Sequence, residues 1–282
     1  MTDDARFLRL AGIAWKLGYR TFCGLILLFL IAPVLVVIPL SFNAEPFFTI
    51  TKGMLQLDPA AYSLRWYRNI LDNPQWTEAL RNSAYIAFMA VIPATILGTA
   101  AALGLNHPRL PYRTQITAVL ISPMIVPIII TATGLYFLYQ SIGLTQTFTG
   151  IILAHILLGA PFVVLVVSST LAGYDATLNR AAASLGAHPL RTFWEVTLPL
   201  ILPGVLSGAI LAFITSFDEI VVVLFLSGSG QRTIPRQMWT GIRDQISPTI
   251  LAVATLLIGV SICLMAVLEF LRARRTKLER PH

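Results

Sequence analysis

The chain has only three lysines, Lys16, Lys52 and Lys277, and none of them follows a glycine. A P-loop needs Gly-Lys-Ser/Thr so that backbone amides and the lysine hold phosphate together. Nucleotide binding by that route is excluded. There is no His-Glu-x-x-His zinc pattern and no Gly-x-Ser-x-Gly elbow, and the four histidines, His107, His155, His188 and His282, are scattered. The two cysteines, Cys23 and Cys263, lie in apolar stretches, where a thiol behaves as a small apolar group. Neither a disulfide framework nor a cysteine-based metal site is expected. With no nucleophile–base pair in view, the chain does not read as an enzyme.

Charge is scarce too. Only 12% of the 282 residues are charged, against 56% hydrophobic, whereas a soluble domain carries about 25% charged residues. The expectation is an all-α, polytopic membrane protein. Six apolar runs, 22–42, 80–104, 116–140, 148–172, 200–223 and 248–271, are long enough to span, since about 20 residues cross roughly 30 Å of hydrocarbon. Residues 1–21 then form a polar N-terminal arm, 22–271 a six-span domain and 272–282 a basic tail. The first span is too long for a signal-peptide core and no small-x-small cleavage site follows it, so it reads as an uncleaved anchor.

Thirteen of the 20 basic residues fall in the four segments that share a side with the N-terminus. The positive-inside rule therefore puts both termini in the cytoplasm. It also explains the net charge of +7 without a nucleic-acid partner. The tail RARRTKLER reads as a topology anchor near anionic headgroups.

Prolines enter nearly every span: Pro33, Pro39, Pro93, Pro123, Pro127, Pro161 and Pro203. Inside a bundle, neighbouring helices and waters take up the carbonyls they free, and kinked helices line cavities more readily than straight ones. Gly204 and Gly208 make a G-x-x-x-G step, and Gly98–Gly104 gives a similar thin face, both suited to close helix packing. His155, alone in the fourth span, reads as a packed, hydrogen-bonded histidine. No internal repeat relates the two halves, which weighs against a secondary transporter built on inverted repeats.

The loop RAAASLGAHPLRTFWEVTLPLILPG, Arg180–Gly204, carries joints at fixed places. Asp175 can cap a short helix beginning near Ala176, and Gly186 suits the left-handed position that closes it. Pro189 fits the first turn of a second helix, and Pro199 disfavours helix at Leu198 and is expected to end it. Ala181, Ala182 and Ala183 give the first piece a thin surface able to enter a groove on another protein. Phe193 and Trp194 can pin the second piece. A rigid plug between two spans moves when its socket moves; an ordinary packed loop is the alternative.

Here the residues resemble a family. Inner-membrane permeases of bacterial ABC importers carry E-A-A-x-x-x-G, nine residues, then I-x-L-P. This chain has RAAASLG at 180–186 and VTLP at 196–199. The resemblance implies that Ala181, Ala182 and Gly186 belong to a coupling helix docked on an ATPase subunit, with Leu198 and Pro199 closing the motif. Arg180 stands where the family has glutamate and reverses a charge at that surface. The chain looks most similar to the second permease subunit of spermidine/putrescine importers, through SFN at 41–43, RWY at 65–67, ISP at 121–123, PFVV at 161–164 and SFDEIVV from Ser216. That resemblance implies an importer-permease fold in a bacterial inner membrane. The partners it implies are an ATPase dimer that binds ATP and magnesium, a homologous second permease and a periplasmic substrate-binding protein. No cofactor is expected on this chain itself.

Asp218 and Glu219 lie in the expected fifth span, roughly 27 Å from its inner end at about 1.5 Å per residue. A carboxylate there faces a cavity or a partner, because burial in lipid costs about 2.5–3.5 kcal/mol. The pair is expected either to attract a cation into a pathway or to be satisfied by water or Arg232. Trp66, in the first outer loop, can stack on an alkyl-ammonium group or anchor the interface. Met124 follows Ser122-Pro123 where spermidine permeases have aspartate, which suits a less cationic solute: putrescine, 4-aminobutyrate, an opine or an aminophosphonate. The last outer segment, with Met238, Trp239 and Ile242, is a candidate for meeting the receptor or for lying as a lid. A stand-alone carrier or channel using Asp218 and Glu219 is the competing class.

Overall fold

The computed structural model describes residues 3–244 and 247–278. Residues 279–282, the end of the basic tail, and 245–246, in the last inter-span segment, lie outside the described residues. The chain is built from α1 (Asp3–Ser41), α2 (Lys52–Leu55), α3 (Arg65–Asp72), α4 (Pro74–Leu105), α5 (Arg113–Ile125), α6 (Ile128–Ser141) and α7 (Phe148–Ala172). It continues with α8 (Thr177–Ser184), α9 (Pro189–Thr192), α10 (Leu198–Phe217), α11 (Val221–Leu226), α12 (Ile234–Asp244) and α13 (Thr249–Leu278). Among the described residues, five helices are long and apolar enough to cross a membrane, or six if α5 and α6 together make one span.

Local chemistry sets most of these boundaries. Asn73 Oδ1 accepts from the Gln75 amide at 2.9 Å and Pro74 supplies the first turn of α4, filling an otherwise unpaired donor. Thr147 Oγ1 does the same for α7, accepting from Gly150 N at 3.0 Å.

The third span differs from expectation. It is two helices bent by 98°, with Val126 extended (φ −67°, ψ 132°) between them. Pro127 is the cause: it has no amide to continue the ladder, and its ring pushes the preceding residue out of the α region.

The fifth span also differs, at both ends. Pro199 does not end the second loop helix; Pro189–Phe217 runs on as one helical element. The five residues before α10, Phe193–Thr197, are wound as a π-helix. A proline clashes with the carbonyl four residues back, and a π turn widens the spiral at that point. At the far end the helix stops at Phe217, six residues short of the expected limit, and α11 starts anew at Val221.

Two compact units result, Met1–Ile70 with Gln245–Ile258, and Leu71–Asp244 with Gly259–His282. In the second unit α4, α7 and α10 pack around Val163, Val167, Leu171, Ile201, Val205, Ala102 and Ala212. A neighbouring cluster joins Ile86, Tyr139, Ile151, Leu158 and Val222 from α4, α6, α7 and α11. Glycine permits this closeness. A Cβ on Gly98 would lie 2.6 Å from Val163 Cβ, and one on Gly208 would lie 3.0 Å from Val163 Cα. The G-x-x-x-G step therefore packs α10 onto α7. In the first unit, SFN and RWY meet: Ser41 Oγ and Tyr67 Oη are 2.7 Å apart, and the Phe42 and Tyr67 rings lie 5.0 Å apart.

Candidate functional site

Two places carry most of the residues singled out by sequence, the loop between α7 and α10 and the break between α10 and α11; Trp66, on α3, lies in neither.

The loop is helix, elbow, helix. Asp175 opens it, accepting from Thr177 N at 2.8 Å and from Thr177 Oγ1 at 2.6 Å. These bonds, with a smaller contribution from the positive charge of Arg180, hold its carboxyl below the usual aspartate range. At the other end of α8, Gly186 has φ +85°, the left-handed region that glycine enters without steric cost. Ala187 N reaches back to Ala182 O at 3.0 Å, closing the helix. His188 and Pro189 then start α9, with His188 Nδ1 accepting from Leu190 N.

This loop exposes apolar surface. Leu185 is 89% exposed, Leu190 63% and Trp194 60%, and Ala181 and Ala183 are exposed while Ala182 is half-buried. Arg180 and Pro199 face outward and Leu198 packs on the α4–α7–α10 cluster. Phe193 and Trp194 stack edge-on with centroids 5.3 Å apart. Arg191 Nε is 2.9 Å from Glu195, an exposed pair of little energetic weight.

One group here was not foreseen. Asn179 Oδ1 accepts from the Tyr174 hydroxyl at 2.5 Å and the Thr197 hydroxyl at 3.1 Å. The three residues tie the end of α7, α8 and the π-helical turn together. Their spacing in sequence follows no known motif, so only the fold could reveal it.

At the break, the acidic pair divides. Glu219 is 9% exposed and its Oε1 accepts from Val222 N at 2.9 Å. It caps α11, and that local bond competes with continuing α10, which is why the fifth span stops early. Asp218 is exposed. The satisfied-carboxylate reading thus fits Glu219, with α11 amides in the place of water or Arg232. Just ahead of the break, Ser216 Oγ lies 2.7 Å from His155 Nδ1, and both are buried. His155 is the packed, hydrogen-bonded residue expected. Beyond α11, Arg236 binds Ser227 O at 3.2 Å and also Gly228 O, while Asn82 on α4 holds the carbonyls of Gly230 and Arg232, each at 3.0 Å. The segment between α11 and α12 is thereby clasped to α4.

Trp66 belongs to the first unit, away from these residues in the chain. Its Nε1 donates to Asn43 O at 2.8 Å and the Arg65 guanidinium sits 4.1 Å from its ring. One ring face already holds a cation. A cavity of about 380 Å³ beside it is lined by Phe42, Tyr62, Ser63, Leu64, Arg65 and Arg68, and two arginines make it a poor seat for a polyamine. Met124 is 39% exposed near the bend between α5 and α6.

Comparison with known proteins gives a consistent result. Residues 94–277 match the family described as "Binding-protein-dependent transport system inner membrane component". The putrescine transport system permease protein PotI of Escherichia coli (strain K12) is 33% identical over 256 residues, 88% of each chain. The spermidine/putrescine transport system permease protein PotC of Haemophilus influenzae is 29% identical over 89% of this chain and 95% of its own. A putative 2-aminoethylphosphonate transport system permease protein, PhnU of Salmonella choleraesuis, is 28% identical over 76% of this chain and 80% of its own. In fold, the chain superposes on part of a bacterial ABC transporter involved in the import of alginate with a TM-score of 0.70 at 17% identity, covering 92% of this chain and 96% of that one.

Proposed function

The chain belongs to the family of binding-protein-dependent transport system inner membrane components, and from that premise we propose that it is the membrane-spanning permease subunit of an ATP-driven importer of a small cationic solute. The observation that carries this is the loop between α7 and α10. It is an exposed apolar helix–elbow–helix, set directly between two spans of a chain whose sequence carries no P-loop. An outside ATPase dimer receives Ala181, Ala182 and the residues around them in its grooves. Gly186, Leu198 and Pro199 give the loop its shape. Both termini and this loop lie in the cytoplasm of the bacterial inner membrane, following the distribution of basic residues. A second, homologous permease completes the pathway, and a periplasmic binding protein delivers the solute.

The substrate is a polyamine such as putrescine or spermidine. The names of the relatives support this class, and so does Asp218, exposed at the break in the fifth span where a carboxylate can meet an ammonium group. Glu219 shapes that break. A less cationic solute, such as an aminophosphonate, is the second reading, favoured by Met124 in place of a carboxylate and by the arginines beside Trp66.

Purification of the intact assembly from native membranes tests the proposal. An ATPase subunit is expected to accompany the chain, and Gly186→Trp is expected to abolish transport-coupled hydrolysis while leaving insertion unaffected. A single-chain preparation that still accumulates solute in vesicles would establish the stand-alone carrier instead.

A further inference from the structure

Asn179 lies in the first turn of α8, and its side-chain oxygen accepts from Tyr174 and Thr197 at 2.5 and 3.1 Å. An amide oxygen has two lone pairs, so this acceptor is saturated. Each donor adjoins the end of a different span. Tyr174 lies just past the end of α7 and its ring packs on the cluster of Val163, Val167, Leu171, Ile201 and Val205. Thr197, 6% exposed, is the last residue of the π-helical turn that leads into α10. The two hydroxyl oxygens are themselves 3.4 Å apart.

The rest of α8 has little hold on the bundle. None of its residues is buried, Leu185 beyond it is exposed, and Gly186 has open space around it, with nothing within 4 Å of a built Cβ. The helix is therefore a short rigid bar, hinged at Gly186 and pinned to the spans through Asn179. At the receiving end stands a π turn, which holds one more residue per turn than an α-helix. Such a turn can absorb or release a shift in register without breaking the backbone bonds of the span that follows.

Resting on the reading of this loop as the ATPase contact, we propose that Asn179 is a positioning residue of the transport cycle. It passes displacement of α8 at once into the end of α7 through Tyr174 and into the start of α10 through Thr197. Loss of either hydroxyl leaves one span behind. Loss of the amide oxygen releases both from α8 and leaves the two hydroxyls only each other, 3.4 Å apart.

The test uses the complete complex with its ATPase, with spin labels at Leu165 on α7 and Leu206 on α10, both exposed. Label separation is measured with and without ATP and vanadate, so no transported solute is needed. Asn179→Asp keeps an oxygen that accepts both bonds and is expected to retain the nucleotide-dependent shift. Asn179→Leu is expected to lose at least about half of it while ATP hydrolysis stays within about twofold, since coupling and assembly are separable quantities. A merely structural asparagine would lower the yield of complex and leave the shift in assembled complexes unchanged. Tyr174→Phe and Thr197→Val, each removing one donor, are expected to give intermediate shifts and decide the matter if Asn179→Leu does not assemble. Full shifts in these variants overturn the inference alone. A parent complex with its ATPase but no nucleotide-dependent shift, or a chain that purifies without any ATPase, overturns the functional reading and the inference together.

Discussion

Gly98 on α4 and Val163 on α7 meet so closely that a Cβ added at the glycine would stand 2.6 Å from the valine Cβ and 3.0 Å from the Ala160 carbonyl oxygen. Gly208 on α10 presses the backbone of the same valine from another side. Three spans thus cross at one residue, and the small faces noticed in the sequence are what admit the crossing. Without a hydrophobic drive between helices in lipid, such contact is a main source of cohesion.

Gly98→Ala must push against Val163 and a backbone oxygen. The expected loss is about 1–3 kcal/mol, the range for overpacking a filled core, read as a lower unfolding midpoint in detergent. Gly104→Ala, with nothing within 4 Å of its Cβ position, is the control and should hold or gain slightly.

The two acidic residues at the break should separate under substitution. Asp218→Asn is expected to slow uptake of putrescine about tenfold, equivalent to ~1.4 kcal/mol, with the ATPase still bound. Glu219→Gln retains an oxygen for the Val222 amide and should transport nearly normally. Glu219→Ala loses the cap and should cost about 1 kcal/mol of stability. Equal uptake by Asp218→Asn and the parent would remove Asp218 from the route.

Trp66→Phe keeps an aromatic face but removes the donor to the Asn43 carbonyl, on a residue that is fully buried. An unpaired buried acceptor costs about 1–3 kcal/mol. The first inter-span loop should become more sensitive to protease while the KM for putrescine stays put. A raised KM at unchanged stability would restore Trp66 to the pathway.

Gly186→Ala places a Cβ on a left-handed residue, φ +85°, at a strain of about 1–2 kcal/mol. The complex should still assemble, with less transport per ATP hydrolysed.

Asp175 carries a pH signature. Its folded value is depressed by bonds from Thr177, so the support it lends α8 is present above the ordinary aspartate value. That support is lost as the pH falls through the depressed one, below about pH 4. Protease cutting between residues 175 and 188 should rise in that range, and Asp175→Ala should show the raised cutting already at pH 7.

Much of this was legible beforehand because punctuation residues act locally. Asp175, Gly186 and Pro189 each stand where cap, left-handed turn and first-turn chemistry require them. The expected span 148–172 coincides with α7, whereas α1, α4 and α13 run past the limits expected for their spans, because hydropathy marks the apolar stretch and not where the helix ends. Pro127 and Pro199 show where local rules stop. Both remove an amide, yet one breaks its span by 98° and the other is absorbed by a π turn, and the neighbours decide which. Asn179 and Asn82 were out of reach for the same reason, since their partners are 18 and 150 residues away. The acidic pair was seen, but its division into a buried cap and an exposed carboxylate depends on the break that Glu219 itself helps to make.

The bend between α5 and α6 bears on how the protein is made. α5 has 13 residues and α6 has 14, so each is about 20 Å long at 1.5 Å per residue, too short to cross roughly 30 Å of hydrocarbon alone. Their shared corner leaves backbone groups that lipid cannot satisfy. During synthesis this segment has no resting place in the bilayer until α7 and α11 arrive to pack against it. A ribosome-bound chain stopped after Ser141 should therefore be held by the insertion machinery or degraded, while one stopped after Leu226 should settle.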